Sequence, residues 1–490
     1  MPIVSREPIV NFIESPTFGR KRIYTDLEIN EENILKILND ALAVHNVNTL
    51  EMQRLINYYL GNQQILERQE NYTSNINNKL VLNYANSIVR DIVGYTYGKD
   101  IEYVQRKQDL IEVVEELNTI LQYEDAPLAD FSTAIYTSIC GVGYQFSLPS
   151  DDYKDETPEI GVKIGCLDPR NTFVVRSYDL NNPVVLACTF YKTKKDTIYI
   201  IYDKEYRTIV RKNKIIEHEL HGIGSIPIEC YENNLFLLGD FEPALTILDA
   251  INKVASDSVN DIEQFVQSLL VFINASLGET EKEREETRQN IKKNRMIEIK
   301  APQGMDADAK YISQQLDPQS TSNMLTYLEE SLWKVIGIPD RKTRGGGGGD
   351  TGAAVELRDG WADLEVVARN KEKFFKKAKK SQLRTILNIL KPINKILQKL
   401  SVKDIDIKFS RNKSANILTK TQAFVDLNST QQLDPVDSLE MVDLTTNVNE
   451  VIKRGQEYWK NKLASEKESE PTQGDEQKKV GGDQNDGRNE

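Results

Sequence analysis

The sequence predicts an α+β fold that is predominantly helical. Before residue 146 and again after residue 240, apolar residues recur at intervals of three or four, as on one face of a helix. Between about residues 160 and 232, short runs rich in β-branched and aromatic residues alternate with turn residues, which is typical of strands. With 490 residues, the chain has room for about two to four domains.

The N-terminal part is predicted to consist of several helices. Residues 28–70 and 79–98 carry apolar stripes at helical spacing, and the second stripe ends near Gly94 and Gly98. Two further helices are expected within residues 109–146, on either side of the break EDAP. The β-rich unit follows and closes with SIPIECYENN at residues 225–234.

One long helix is predicted over residues 240–275. Phe241, Leu245, Leu248 and Ile251 begin an apolar stripe along its length. The other side is acidic, and four charged residues recur there every four positions, which places them on one face: Asp249, Lys253, Asp257 and Asp261. Helical spacing alone does not choose what that face meets.

A glycine run separates two further predicted helices. Residues 276–311 form a charged, hairpin-like segment with the strand-like MIEIK, and a helix is predicted over residues 320–337. The stretch RKTRGGGGGDTG at residues 341–352 follows, and ordering five consecutive glycines costs much backbone entropy. The next helix begins near residue 353, and Pro392 is expected to kink or end it.

The C-terminal part changes from basic to acidic. Residues 369–399 carry eleven lysines and arginines against Glu372 alone. Residues 418–463 are predicted to form two or three short helices. From Ser465 onward the chain is polar and acidic, which predicts a disordered tail.

The sequence favours neither an enzyme nor a cofactor or metal site. The glycine run lacks the GxxxxGK[ST] pattern of a phosphate-binding loop, and Asp350 at its end would repel phosphate. His218 and His221 are three residues apart in a strand-like segment, which would place them on opposite faces. No GxSxG motif is present, and nothing marks a pair of carboxylates as catalytic.

Composition narrows the cellular setting. The net charge of −13 argues against a simple basic DNA binder, although it says nothing of local patches. Apolar runs such as SLLVFI are far too short to span a membrane, and no secretory signal is visible. The four cysteines are irregularly spaced and suggest free thiols in a reducing cytoplasm.

Several segments, taken in order, resemble motifs of the portal proteins of tailed bacteriophages, of the siphophage type common in Gram-positive hosts. Each motif is weak alone, but their order is specific, and the resemblance spans roughly residues 50–400. The segments are NYYLGNQQIL (57–66), NNKLVLNYANSIVRDIVGYTYGKDIEY (77–103), IPIECYENN (226–234), DFEPALTILDAINKVASDSVNDIEQFVQSLLVF (240–272), LWKVIGIPD (332–340) and GGDTGAAVELR (348–358).

The resemblance implies a homo-oligomeric ring, expected to be a dodecamer, at the portal vertex of a capsid in the virion. The portal fold has wing, stem, clip and crown regions around a central channel, through which double-stranded DNA enters and leaves. The large terminase docks on the ring and a head-completion adaptor replaces it later. Major capsid and scaffolding proteins are the other implied partners. Assembly is expected in the host cytoplasm, without a membrane, a cofactor or ATPase activity of the portal itself.

Transferred by position, the resemblance divides the chain into eight regions. They are a wing at 1–239 that includes the β-rich unit at about 160–232, a stem helix at 240–275, a clip at 276–311, a second stem helix at 312–337, a tunnel loop at 338–352, a long wing helix at 353–404, a crown at 405–464 and a disordered acidic tail at 465–490.

Two sets of residues are the candidate DNA-facing sites. In the tunnel loop, glycines would give mobility and three cations a transient grip on phosphates; the residues are Arg341, Lys342, Arg344, Gly345, Gly346, Gly347, Gly348 and Gly349. In the stem, Asp249, Lys253, Asp257 and Asp261 would line the channel, where acidic residues would repel the duplex and keep it centred.

Each of these interpretations has an alternative. The loop could be a linker whose cations pair with nearby acids, and the stem stripe could be a solvated surface or form salt bridges between subunits. The basic helix at 369–399 is expected to neutralise acidic neighbours in other subunits rather than to touch DNA. For the whole chain, the alternatives are a structural adaptor or scaffold that forms no channel and, with less support, a packaging-motor NTPase subunit.

Overall fold

The computed structural model describes most of the chain in two compact units, Met1–Lys413 and Ser414–Glu490. The described residues are 18–69, 76–150, 161–266, 269–273, 280–294, 308–312, 318–339, 361–411, 417–429, 433–442, 445 and 448–468. The structural statements below concern these residues, and each unit is described by itself.

Helices make up the larger part of the described structure. In the first unit they are α1 (Ile34–Leu60), α2 (Tyr84–Tyr97), α3 (Ile111–Tyr123), α4 (Ala126–Cys140), α5 (Leu245–Val266), α6 (Glu281–Asn294), α7 (Pro318–Ile336) and α8 (Trp361–Leu390). The second unit contains α9 (Ile417–Ser429), α10 (Pro435–Val442) and α11 (Val448–Glu468). The α+β class predicted from the sequence is confirmed.

The strands form four sheets in the first unit. They are β1 (Ile23–Thr25), β2 (Glu102–Gln105), β3 (Val142–Pro149), β4 (Val162–Leu167), β5 (Thr172–Ser177), β6 (Val184–Lys192), β7 (Thr197–Tyr202), β8 (Tyr206–Arg211), β9 (Lys214–Leu220), β10 (Ile228–Glu232), β11 (Leu269–Ile273), β12 (Asp308–Ile312) and β13 (Ile405–Lys408). The sheet orders are β1-β5-β6-β7-β8-β9, β10-β3-β4, β11-β12 and β13-β2. Only the β1–β5 pairing among them is parallel.

Two apolar clusters organise the first unit. The smaller one packs the start of α1, through Ile34, Ile37 and Leu38, against Phe173 and Val175 of the six-stranded sheet. The larger one joins the rest of α1 to α2, α3, α4, α5, α7, α8 and the three-stranded sheet. Helix α1 therefore links the two clusters.

The helix predicted over residues 240–275 is shorter than expected. It ends at Val266, and Leu269–Ile273 is a strand that pairs with β12 in the register Leu269↔Ile312. The apolar run LLVFI is compatible with either a buried helix or a strand, and pairing with the distant strand β12 selects the strand. MIEIK, expected to be strand-like, lies outside the described residues.

Two other boundaries also differ from the prediction. Strand β3 begins at Val142, so the β structure starts before residue 160; Gly141, with φ of 78°, ends α4 and turns the chain into β3. At the other end, β13 pairs with β2, so residues 405–411 belong to the first unit rather than to a C-terminal region that begins at residue 405.

Two helices end at other residues than the sequence predicted. Helix α8 ends at Leu390, just before Pro392 as expected, so the predicted helix at 353–404 is replaced by turns from residue 391. Helix α11 extends to Glu468, past the predicted start of the acidic tail at residue 465. Residues 353–360 and 469–490 lie outside the described residues.

Two buried lysines anchor the basic helix α8 within its own chain. The Lys371 amino group donates to both carboxylate oxygens of Asp240, at 2.8 and 2.7 Å, and also contacts Asn233. Lys379 pairs with Asp130 and donates to Gln382 Oε1 at 2.8 Å. These two cations neutralise acids of the same subunit. The expectation that the segment 369–399 neutralises acidic neighbours in other subunits stays a prediction for its exposed cations.

We expect Lys379→Ala to lower the free energy of unfolding by about 3–5 kcal/mol, because the Asp130 carboxylate would stay buried without its cation. Lys379→Met combined with Asp130→Leu should recover part of that loss. The exposed Lys377→Ala is the matched control, with a change within about 0.5 kcal/mol. Urea unfolding measures all three, and equal midpoints for Lys379→Ala and Lys377→Ala would contradict the assignment.

Candidate functional site

Of the two predicted sites, the structure describes the stem stripe but not the tunnel loop. Arg341, Lys342, Arg344 and the five glycines 345–349 lie outside the described residues. The chain is described up to Pro339 and again from Trp361. Before the gap, Gly337 ends α7 in the left-handed region, with φ of 74°, and its amide donates to Trp333 O at 2.9 Å.

The stem stripe on α5 divides into partnered and exposed residues. Tyr58 of α1 donates its hydroxyl to Asp249 Oδ1 at 2.7 Å, and Arg68 lies 2.6 Å from Asp257 Oδ1. Burial raises the pKa of Asp249, and the hydrogen bond from Tyr58 offsets part of that rise. Lys253 and Asp261 are exposed. The structure thus places the four residues along α5, with Asp249 the most engaged with its own subunit.

A polar ladder, formed by Asn252, Ser256 and Asn260 of α5, lies beside this stripe. Asn252 Oδ1 accepts from the Leu82 amide at 2.8 Å, and Ser256 Oγ accepts from the Leu80 amide at 2.9 Å. Asn260 Oδ1 accepts from the Asn78 amide at 2.8 Å. Three side chains of one helix therefore bind every second amide of the extended segment 78–82, as a neighbouring strand would.

The spacing of a helix and a strand explains why this ladder fits. Four residues of helix rise about 6 Å, and two residues of strand rise about 6.6 Å, so acceptors and donors stay in step over three pairs. Asn252 is fixed in turn by Gln63, to which its amide donates at 2.5 Å. Sequence reasoning missed the ladder, although polar residues at i, i+4 and i+8 beside an apolar stripe are the signal that could have revealed it.

A second cluster joins the described start of α8 to the end of the first unit. Arg411 donates to Glu365 at 2.8 and 3.2 Å, also contacts Glu372, and lies over the ring of Tyr95. Burial alone would raise the pKa of Glu365, but hydrogen bonds from Arg411, Arg369 and Tyr95 outweigh it and lower the pKa to about 2. The helix that follows the glycine run is thereby fastened near its first described turns.

Side chains that could ligate a metal are dispersed in the part of the chain that the structure describes. Within them, no three His, Cys, Asp or Glu side chains are grouped so that they could hold a metal ion. His218 bonds Thr208 Oγ1 at 2.8 Å, and His221 bonds the Asp203 carbonyl at 3.1 Å, so each imidazole has a separate local partner. Among the described helices, none combines the length and apolar character needed to cross a membrane.

Comparison with known proteins finds one family over most of the chain. The model of the family described as phage portal protein, SPP1 Gp6-like, matches residues 40–465. The portal protein of Bacillus phage SPP1 is 21% identical over 363 residues, which cover 69% of this chain and 67% of that protein. The solved neck of an empty GTA particle, computed with C6 symmetry, matches with 11% identity and a TM-score of 0.47, over 74% of this chain and 90% of that one.

We expect Ser256→Ala to speed hydrogen exchange at the Leu80 amide by up to about tenfold, because this part-buried amide loses its acceptor and a hydrogen bond contributes about 0.5–1.5 kcal/mol. Residue-resolved hydrogen exchange measures the rate, with the Asn78 and Leu82 amides as internal references. Asp261→Asn, at an exposed position of the same helix, should leave the Leu80 rate unchanged. Unaltered protection of Leu80 in Ser256→Ala would show that the ladder does not hold the segment.

Proposed function

The chain belongs to the SPP1 Gp6-like family of phage portal proteins, and we propose that its copies assemble into a ring whose central channel passes double-stranded DNA. It is therefore a portal protein, a structural component of the virion at a capsid vertex. The observation that carries the proposal is the match of the family model across residues 40–465. The proposal has three further parts. The ring assembles in the host cytoplasm, the tunnel loop contacts DNA in the channel, and terminase and adaptor dock on the ring.

The regions of the proposed portal follow the described elements. Helices α5 and α7 are the stem, and β11, α6 and β12 form the clip between them, where terminase and adaptor would dock. The six-stranded sheet, with α1 to α4 and α8, is the wing. The unit Ser414–Glu490 is the crown.

The exposed side of α5 supports a weakly interacting channel wall. Contacts between cations and phosphates supply most non-specific affinity for DNA, so a continuous basic lining would slow translocation. On α5, the exposed Asp261 and Glu263 outnumber the exposed Lys253, and Asp257 is paired with Arg68. Asp249 contributes least in this proposal, because Tyr58 and the surrounding residues already engage its carboxylate.

The tunnel loop is the part of the channel that we propose does contact the DNA phosphates. Arg341, Lys342 and Arg344 precede five glycines, which impose little steric restriction on the backbone. The segment joins two helices that are fixed at the ends facing it, α7 by the Gly337 cap and α8 by the Arg411 cluster. Because both ends are anchored, such a segment can contact the phosphates of moving DNA without displacing the helices on either side of it.

Electron microscopy and mass determination of the purified protein test the ring directly. We expect rings of about a dozen subunits with an open axial channel, the closed heterologous geometry of cyclic assemblies. A stable monomer or a compact dimer across salt conditions, unchanged when scaffolding protein is added, would contradict the proposal. A closed particle without an axial hole would favour a non-channel adaptor.

The triple variant Arg341→Ala, Lys342→Ala and Arg344→Ala tests contact between the tunnel loop and DNA. We expect packaging with purified terminase to slow, because the loop loses its phosphate-binding cations, and to become less sensitive to salt. A matched variant removes three cations from the exposed face of α8, at Lys373, Lys377 and Arg384, and should package normally. Normal packaging by the loop variant would exclude the DNA-contact role.

A further inference from the structure

We propose that neighbouring copies are joined by a loop and a pocket that lie at opposite ends of α4. The apolar loop, which packs at the C-terminal end of α4 in one subunit, inserts into the pocket at the N-terminal end of α4 in the next subunit. The loop is residues 233–238, and the pocket lies at the N-terminal end of α4. The proposal rests on the ring assembly proposed above and names the surfaces that would form it.

The loop presents two large apolar side chains to solvent. Leu235 is 60% exposed and Phe236 is 69% exposed in the isolated chain. Asn234 Oδ1 accepts from the amides of Phe236 and Leu238, at 3.1 and 3.0 Å, and the Asn234 side chain donates back to Leu238 O at 2.8 Å. Leu237, buried and with φ of 56°, completes the tight turn. The loop thus projects Leu235 and Phe236 on a hydrogen-bonded frame.

Two glycines let the rest of the subunit close tightly against this loop. A Cβ at Gly19 would lie 2.3 Å from Phe236 O, and a Cβ at Gly141 would lie 1.9 Å from Leu237 O. Both glycines are in the left-handed region, at φ of 78°. A side chain held on so rigid a base loses little entropy on binding, which is the property of a good interface anchor.

The pocket is a concave surface whose lining combines apolar side chains with three charged residues, Lys99, Asp100 and Asp130. Its volume is about 260 Å³, and its lining includes Tyr97, Ile101, Pro127, Leu128 and Phe131. Leu128 is 63% exposed, although Tyr97 and Ile101 behind it are buried. Exposed apolar groups beside a cavity mark a binding surface more often than scattered single residues do.

The positions of the two surfaces fit a second copy of this chain as the partner. The loop contacts the C-terminal end of α4, where the Asn233 amide donates to Gly141 O at 3.0 Å, whereas Leu128 is in the first turns of the same helix. About thirteen residues, or roughly 20 Å of helix, separate these ends. A protrusion and a concavity on opposite ends of one rigid helix form a heterologous, head-to-tail contact, which closes into a ring when the rotation allows.

The charges around the two surfaces agree with this pairing. Lys21, two residues from Gly19 at the base of the loop, is exposed. At the pocket, Asp100 is exposed on the lining, Asp125 is exposed beside Pro127, and Lys99 is the cation among them. The rim of the pocket therefore has a net charge of about −1, and in the proposed contact it would meet the basic Lys21 beside the loop of the next copy.

Disulfide trapping of Leu128→Cys with Phe236→Cys tests the contact. Within one chain these cysteines lie at opposite ends of α4 and cannot join, because a disulfide needs Cα atoms closer than about 7 Å. After mild oxidation, we expect the double variant to give a ladder of covalent oligomers on a non-reducing gel. A mixture of the two single variants should stop at dimers, and each single variant alone should stay monomeric.

The control pairs Phe236→Cys with Leu180→Cys, an exposed position on another part of the chain, and the native cysteines are controlled by the unaltered protein. Rings seen by electron microscopy without a ladder above that control would overturn the interface and leave the ring assembly standing. If the unaltered protein forms no ring at all, the assembly itself fails, and the interface with it.

Discussion

The first unit depends on burying its charges as pairs. The Asp240 carboxylate binds Lys371 of α8 and accepts from Ser138 of α4, and it lies just before the start of α5. Helices α4 and α8 and the residues that lead into α5 thus share one anion, whose side chain is 10% exposed. Because an unpaired buried charge is far costlier than a misplaced apolar group, these contacts permit few alternative arrangements of the three helices.

The same constraint explains how one basic segment serves two purposes. Lys371 and Lys379 point inward to acids, Lys376 lies 3.3 Å from Asp406 on β13, and the cations on the opposite side of α8 face solvent. The inward cations stabilise the fold within a subunit. The outward cations remain available to neighbours or to solvent, so total charge along a helix is a poor guide to what that helix binds.

The sequence predicted those parts of the fold that local periodicity determines. Phe241, Leu245, Leu248 and Ile251 are buried as their helical spacing required, and Pro392 follows the end of α8. Contacts between distant segments were out of reach: Lys379 and Asp130 are 249 positions apart, and Asn252 and Leu82 are 170 apart. The run at 269–273 became a strand for the same reason, since its partner follows a separate helix. The polar ladder escaped notice because its side chains resemble ordinary helix-surface residues until the segment 78–82 is placed beside them.

The polar ladder also has a mechanical consequence. Its three hydrogen bonds are arranged side by side along α5, and each joins the helix to a different residue of the segment 78–82. A force along the helix axis would stretch all three bonds together, as in shear, whereas a sideways force would open them one at a time. If α5 lies along the channel, thrust on DNA during packaging acts in the direction in which this joint is strongest. Helix α5 would then pass axial force to α2, which begins just after the segment, with little slip.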